Sequence, residues 1–247
     1  MHIPLQTAVF GFIAVFVAGL TMGLTGFGLA LIASPLLVLI LPPKIVVPVV
    51  TLHGVLTTVG VMVEARKWLD LRRRWPLMLA GGLAVPFGAY LLVILDAGTL
   101  KVLIGAVIAL TAVALLLGFR HEIRNEKLAS GPVGLLSGLL NGSTGMGGPP
   151  IVLFFANQGV EKQVFRANLA AYFFALKVVA IPSYLVGDLI TPTVAAYSLL
   201  FLPALLEGMA AGIRLAGRVP EELFRRFTLL VVCAAGLLSI AAGLRLV

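Results

Sequence analysis

Long apolar runs alternate with short polar connections along this chain, and two of the runs are broken in their middle. About 20 apolar residues cross a bilayer. Residues 3–41, interrupted at Gly23–Gly28, therefore predict two helical arms or one sharply bent helix. Uninterrupted spans follow at 45–63, 76–95 and 99–119, the last two joined by a turn at Asp96–Gly98. The second half repeats the plan. Residues 131–157 are broken at Gly142–Pro150, leaving arms of only about 14 and 9 residues, too short to cross about 30 Å of hydrocarbon at ~1.5 Å per residue. Spans at 168–187, 192–213 and 227–244 complete it, with Asp188 in a turn. The pattern predicts one membrane domain, 1–247, made of repeat 1 (1–119), a linker (120–130) and repeat 2 (131–247).

The two breaks are copies of each other. Gly19-Leu20-Thr21-Met22-Gly23-Leu24-Thr25-Gly26-Phe27-Gly28 aligns with Gly138-Leu139-Leu140-Asn141-Gly142-Ser143-Thr144-Gly145-Met146-Gly147, identical at six of ten positions with an offset of 119 residues. Glycine is costly inside a helix and proline lacks the N–H the helix needs, so Pro149 and Pro150 reinforce the second break. At membrane depth, irregular backbone survives only where protein or water satisfies it. Interrupted segments at matching places in two halves point to a transporter's binding site.

Charge separates two topologies. If each broken segment crosses once, basic residues divide nine against eight between the two sides and give no orientation. If each is a hairpin returning to its own side, one side carries fourteen (Arg66, Lys67, Arg72, Arg73, Arg74, Arg120, Arg124, Lys127, Lys162, Arg166, Arg214, Arg218, Arg225 and Arg226) and the other only Lys44, Lys101 and Arg245. Short basic loops stay cytoplasmic, so the hairpin arrangement is preferred. A hairpin plus three spans crosses an odd number of times. The reading is thus an all-α polytopic membrane protein of two inverted-topology repeats, each a broken helix or re-entrant hairpin plus three transmembrane helices. Both termini are expected to be periplasmic, in a bacterial inner membrane.

Composition agrees and narrows the function. The chain is 60% hydrophobic and 11% charged, against about a quarter charged in soluble domains. The net charge of +8 sits in loops between spans, which favours membrane topology over nucleic acid. The single Cys233 excludes an intramolecular disulfide. His2, His53 and His121 are scattered and the spans hold no carboxylate cluster, which disfavours a metal-ion transporter, and no cofactor is implied.

The paired glycine-rich motifs half a chain apart, each followed by an apolar run, resemble the TauE/SafE sulfite exporter family over essentially the whole chain. The second copy keeps the family's run of glycines as Gly145-Met146-Gly147-Gly148, whereas the first reads Gly26-Phe27-Gly28-Leu29-Ala30. The resemblance implies proton-driven export of small sulfur-containing anions such as sulfite, sulfonates or sulfoacetate.

Helix starts carry free N–H groups and about half a positive charge, enough to hold an anion's oxygens. The candidate substrate-binding residues are Asn141, Ser143, Thr144, Gly145, Gly147 and Gly148 of the second motif and Thr25, Gly26 and Gly28 of the first. Arg166 and Asn168, at the mouth of the next span, join them, since arginine's planar fork suits sulfonate oxygens. The bland alternative is that the glycines only let helices pack closely, as the spacings Gly19–Gly23 and Gly138–Gly142 permit. Lys177, His53 and Glu207 lie within spans and are candidates for coupling or charge compensation, although Lys177 and Glu207 can also be read as a structural pair. Competing functions are an anion channel, a permease of a non-sulfur carboxylate, and an intramembrane hydrolase with Ser143 as nucleophile and His53 as base, which lacks Gly-x-Ser-x-Gly. Lipid and a small anion are the expected partners, with protons as coupling ion; oligomeric state stays open between monomer and homodimer.

Overall fold

The computed structural model describes residues 3–64, 66–69, 71–116, 126–156, 161–215 and 236–244. Among them the chain is all-helical, in the order α1 (Leu5–Thr25), α2 (Leu29–Leu37), α3 (Pro43–Glu64), a 3₁₀ turn at Arg66–Trp68, α4 (Leu71–Ile94), α5 (Ala97–Leu116), α6 (Glu126–Thr144), α7 (Gly148–Ala156), α8 (Lys162–Val186) and α9 (Pro192–Leu215). Residues 236–243 are helical too. Five of these helices, α1, α3, α4, α8 and α9, are long and apolar enough to cross a membrane. The linker residues 120–125 and the first half of the predicted span 227–244, residues 227–235, lie outside the described residues.

Both breaks occur, and both are narrower than the sequence suggested. The first leaves only Gly26, Phe27 and Gly28 between helices, the second only Gly145, Met146 and Gly147. Gly26 and Gly28 take φ of 80° and 99°, and Gly145 takes 74°, a left-handed backbone that glycine adopts without steric penalty. Pro149 and Pro150 stand in the first turn of α7, where a missing N–H costs no helical bond. The arm before the second break is longer than the 14 residues expected. Its helix begins at Glu126, inside the predicted linker, and has 19 residues. Glu126 and Lys127 are good helix formers, so polarity there marks the end of the hydrocarbon and not the end of the helix.

At each break the chain doubles back. The Ser137 hydroxyl donates to the Gly147 carbonyl at 2.5 Å, although ten residues of continuous helix would separate them by about 15 Å. A β-carbon at Gly28 would lie 3.3 Å from Cγ2 of Thr21, seven residues earlier.

Close helix packing follows from glycine. Along α1, Gly19 lies against the Leu205 carbonyl of α9, and Gly23 against Met209 and Gly212. Along α6, Gly134 lies against Leu77 of α4, Gly138 against Gly81 and Gly142 against Val85. In both pairs the contacts advance in the same direction along the two helices. One buried apolar core gathers α1, α2, α3 and α9, with Val15, Val46 and Phe201 at its centre. Another gathers α4, α7 and α8 around Val85, Phe154 and Leu176.

Candidate functional site

A cavity of about 60 Å³ opens where the two breaks approach each other. A water needs ~10–15 Å³ of such space, so this one has room for a few waters or one small oxyanion. The first break lines it with a continuous run, residues 26–31, and the second with Asn141, Gly145, Met146 and Gly148. From α3 come Val50, Thr51, Gly54, Thr57 and Thr58; from α8 come Ala170, Phe173 and Lys177.

Among the described residues Lys177 is the only charged side chain in this wall, and it is 9% exposed. Its Nζ donates to the carbonyl of Phe173, one turn earlier, at 3.5 Å, and sits 5.2 Å from the centre of the Phe173 ring. A cation at this depth is costly and is placed where a cavity or partner repays it. The expected alternative partner is not there, because Glu207 lies exposed on the outer face of α9. Asn141 is 4% exposed and its Nδ2 donates to no protein atom, so an amide donor is left available in the cavity wall. A buried polar group without a partner costs about 1–3 kcal/mol, which a bound anion would recover.

The two breaks differ in what they offer an anion. At the start of α2, the first intrahelical bond runs from Ile32 N–H to the Gly28 carbonyl, so the N–H groups of Leu29, Ala30 and Leu31 precede the helix's own ladder. At the start of α7, Pro149 and Pro150 remove two of the equivalent donors. The copy with fewer glycines therefore presents the denser set of backbone donors.

Several predicted site residues serve the shape of the breaks. The Thr25 hydroxyl donates toward the Thr21 and Phe27 carbonyls at 2.9 and 2.7 Å and accepts from Phe27 N–H at 3.3 Å. Its repeat mate Thr144 donates to the Leu140 carbonyl at 2.7 Å and accepts from Met146 N–H at 3.3 Å. Ser143 donates to the Leu139 carbonyl at 2.8 Å. None of the three lines the cavity. Gly147 also stays out of it: a β-carbon there would lie 2.6 Å from the Ser137 carbonyl. Tyr184, which sequence reasoning missed, donates to the carbonyls of Asn141 at 3.3 Å and Gly142 at 2.9 Å, holding the free end of α6.

Arg166 and Asn168 sit below the cavity on α8 and do not line it. Arg166 pairs with Glu64 at 3.5 Å, and its Nε lies 2.7 Å from where a β-carbon of Gly26 would be. Asn168 is buried, 1% exposed. His53 donates from Nε2 to the Ser198 carbonyl of α9 at 2.9 Å. Ser143 and His53 are thus each spent on backbone carbonyls, not paired as nucleophile and base. Arg74, expected as a topology charge, is buried at 4% exposure with its guanidinium 4.6 Å from the Phe155 ring centre, a cation–π contact. The cavity face of α3 carried a legible signal: Thr51, Gly54, Thr57 and Thr58 repeat at helical spacing, polar or small residues inside an apolar span.

Several apolar helices long enough to cross a bilayer, with two broken ones around a small cavity, define a multi-pass membrane protein. The family model for the sulfite exporter TauE/SafE matches residues 11–239, and the chain belongs to that family. It is a transporter, not an enzyme. No curated protein and no solved structure matches it.

Proposed function

We propose that the protein is a secondary transporter exporting small sulfur-containing anions (sulfite, sulfonates or sulfoacetate), driven by protons, with the cavity as its substrate site. One observation carries the reading: both glycine breaks, half a chain apart in sequence, line the same small cavity as the buried Lys177. The start of α2 contributes backbone donors and partial positive charge, Asn141 an amide, and Lys177 a full charge.

Alternating access would come from two inverted repeats. What supports them is a set of end-to-end contacts. Glu64 at the end of α3 meets Arg166 at the start of α8, and Lys44 at the start of α3 donates to the Val93 carbonyl near the end of α4 at 2.6 Å. With α6 running alongside α4, the α6–α7 hairpin leaves from and returns to the end of the bundle that holds Arg66 and Lys67. With α1 running alongside α9, the α1–α2 hairpin does the same at the Lys44 end. Exchange of the repeats maps the α1–α9 pair onto α6–α4. The end rich in Lys and Arg is then cytoplasmic and both termini periplasmic in a bacterial inner membrane.

The test is uptake into proteoliposomes of labelled sulfite, methanesulfonate and sulfoacetate, with and without an imposed pH gradient, beside thermal-shift measurements on the purified protein. Gradient-dependent accumulation is the expected result. Failure of every sulfur oxyanion both to stabilise the protein and to be taken up would sink the substrate assignment, and flux indifferent to the gradient would make it a channel. A cytoplasmic reporter signal from a fusion after Val247 would sink the topology.

A further inference from the structure

We infer that the cavity selects its anion by charge: it takes monoanions and rejects dianions, so that sulfite enters as hydrogen sulfite and organosulfonates enter singly charged. This rests on the anion-transport reading above. Among the described residues Lys177 is the sole full positive charge in the wall, and no carboxylate among them lines it. The second cation that a dianion would need is near but does not line the cavity. Arg166 lies on the same face of α8, eleven residues or three turns before Lys177, and it is held by Glu64 at 3.5 Å under the first break. Among the described residues, other buried titratable groups on the surrounding helices face elsewhere. His53 bonds to Ser198, Tyr184 to the end of α6, Tyr172 turns its hydroxyl toward Gly81 of α4, and Arg74 lies over Phe155.

Partial charges do not make up the difference. A helix start supplies roughly half a unit. At α7 two of its donors are prolines, which leaves α2 as the main contributor. Lys177 and α2 together compensate one negative charge fully and leave a second one partly bare. The surroundings are apolar, with Met22, Leu31, Met146 and Phe173 in the wall. The cost of desolvating an ion rises with the square of its charge, so the uncompensated part of a dianion is penalised heavily in such a wall. The same apolar side chains accept a short alkyl group, which suits small organosulfonates.

The experiment is a valence series on the purified full-length protein in nanodiscs, read by calorimetry and thermal shift. The probes are methanesulfonate, methanedisulfonate, sulfate and sulfite, from mildly acidic to mildly basic pH. Methanesulfonate should bind at least about tenfold more tightly than either dianion. The ratio of sulfite to methanesulfonate affinity should fall as pH rises through the hydrogen sulfite–sulfite equilibrium. Taking the ratio cancels any loss of charge on Lys177 itself. K177Q should lose about tenfold or more in methanesulfonate affinity. Dianions binding as tightly as methanesulfonate, or a sulfite ratio flat with pH, would overturn the charge selection while leaving the site intact; so would K177Q binding methanesulfonate like the parent. If no anion binds at all, the transport reading fails and this inference with it. The valence series on the parent chain decides the matter even where K177Q does not fold.

Discussion

Lys177 and Gly54 face each other between α8 and α3, and the lysine Cε occupies the space that a β-carbon at residue 54 would need. Glycine at 54 is therefore what lets the buried cation reach the cavity. Gly54→Ala should displace Lys177 and weaken anion binding by about tenfold, ~1.4 kcal/mol. The fold should survive, since the clash is with the flexible end of a side chain and alanine favours the helix by roughly 0.5–1 kcal/mol. Calorimetry with methanesulfonate checks the first point and a melting curve the second. Unchanged affinity would show that the position of Lys177 does not matter to binding.

Two of the three positive-φ glycines at the breaks should respond unequally. Gly145→Ala has space, its nearest neighbour being 3.7 Å away at Val47, so it pays only for the left-handed backbone, about 1–2 kcal/mol. Gly26→Ala pays that and also meets Nε of Arg166 at 2.7 Å. Melting temperatures should fall in the order parent, Gly145→Ala, Gly26→Ala; the reverse order would mean that Arg166 yields freely.

Glycines that pack helices form a separate class. Gly138→Ala places a β-carbon on the Gly81 backbone carbonyl of α4, which cannot retreat as a side chain can, and should cost about 1–3 kcal/mol. Gly60→Ala meets nothing within 4 Å and should be neutral or slightly stabilising. A comparable loss at both positions would refute the close α4–α6 contact.

At the mouth of α8, Arg166 should matter more to stability than its partner. Glu64 is 61% exposed along its side chain, so Glu64→Ala should cost no more than about 1 kcal/mol. Arg166→Ala also removes the stem that lies against Gly26, where Cγ and Cδ would stand 3.3 and 3.4 Å from a β-carbon, and should cost more. Thermal melts of the two single variants give the comparison, and equal losses would mean that the ion pair, not the packing, is what counts.

Outside the spans, Asp96 starts α5. It accepts from Thr99 N–H at 2.9 Å and from the Thr99 hydroxyl at 2.6 Å. The hydroxyl bond above all, with the backbone bond, holds the Asp96 carboxyl below its usual range. A carboxyl depressed on folding stabilises the native state at neutral pH, and that contribution is lost as pH falls through the folded-state value. Thr99→Ala should melt below the parent at neutral pH, and the gap should narrow on acidification; a gap that widens in acid would contradict the cap.

Much of the fold was legible in the sequence because hydrocarbon imposes a length on every crossing and a penalty on every charge. Among the described residues the uninterrupted apolar runs became helices, α3 and α9 within two residues of their expected ends and α4 and α8 starting five and six residues early, while Glu126 and Lys127 carried α6 back into the linker. The glycine motif was legible as a break but not as a division of labour. Gly19, Gly23, Gly138 and Gly142 pack helices, Gly26, Gly28 and Gly145 reverse the chain, and Gly147 seats α7 on α6; a string of identical residues cannot show which of them meets a neighbour.

The sequence by itself determined that this is a membrane protein with two related helix breaks, since apolar length, glycine and proline act locally and need no partner. Only the tertiary structure decided what faces the cavity. It spent the hydroxyls of Thr25, Ser143 and Thr144 on backbone, tied Arg166 to Glu64, turned Glu207 outward, and brought Lys177 beside Gly54 between the two breaks. Which polar group is consumed and which is left for a ligand depends on what the neighbouring helices offer it, and those neighbours are distant in the chain.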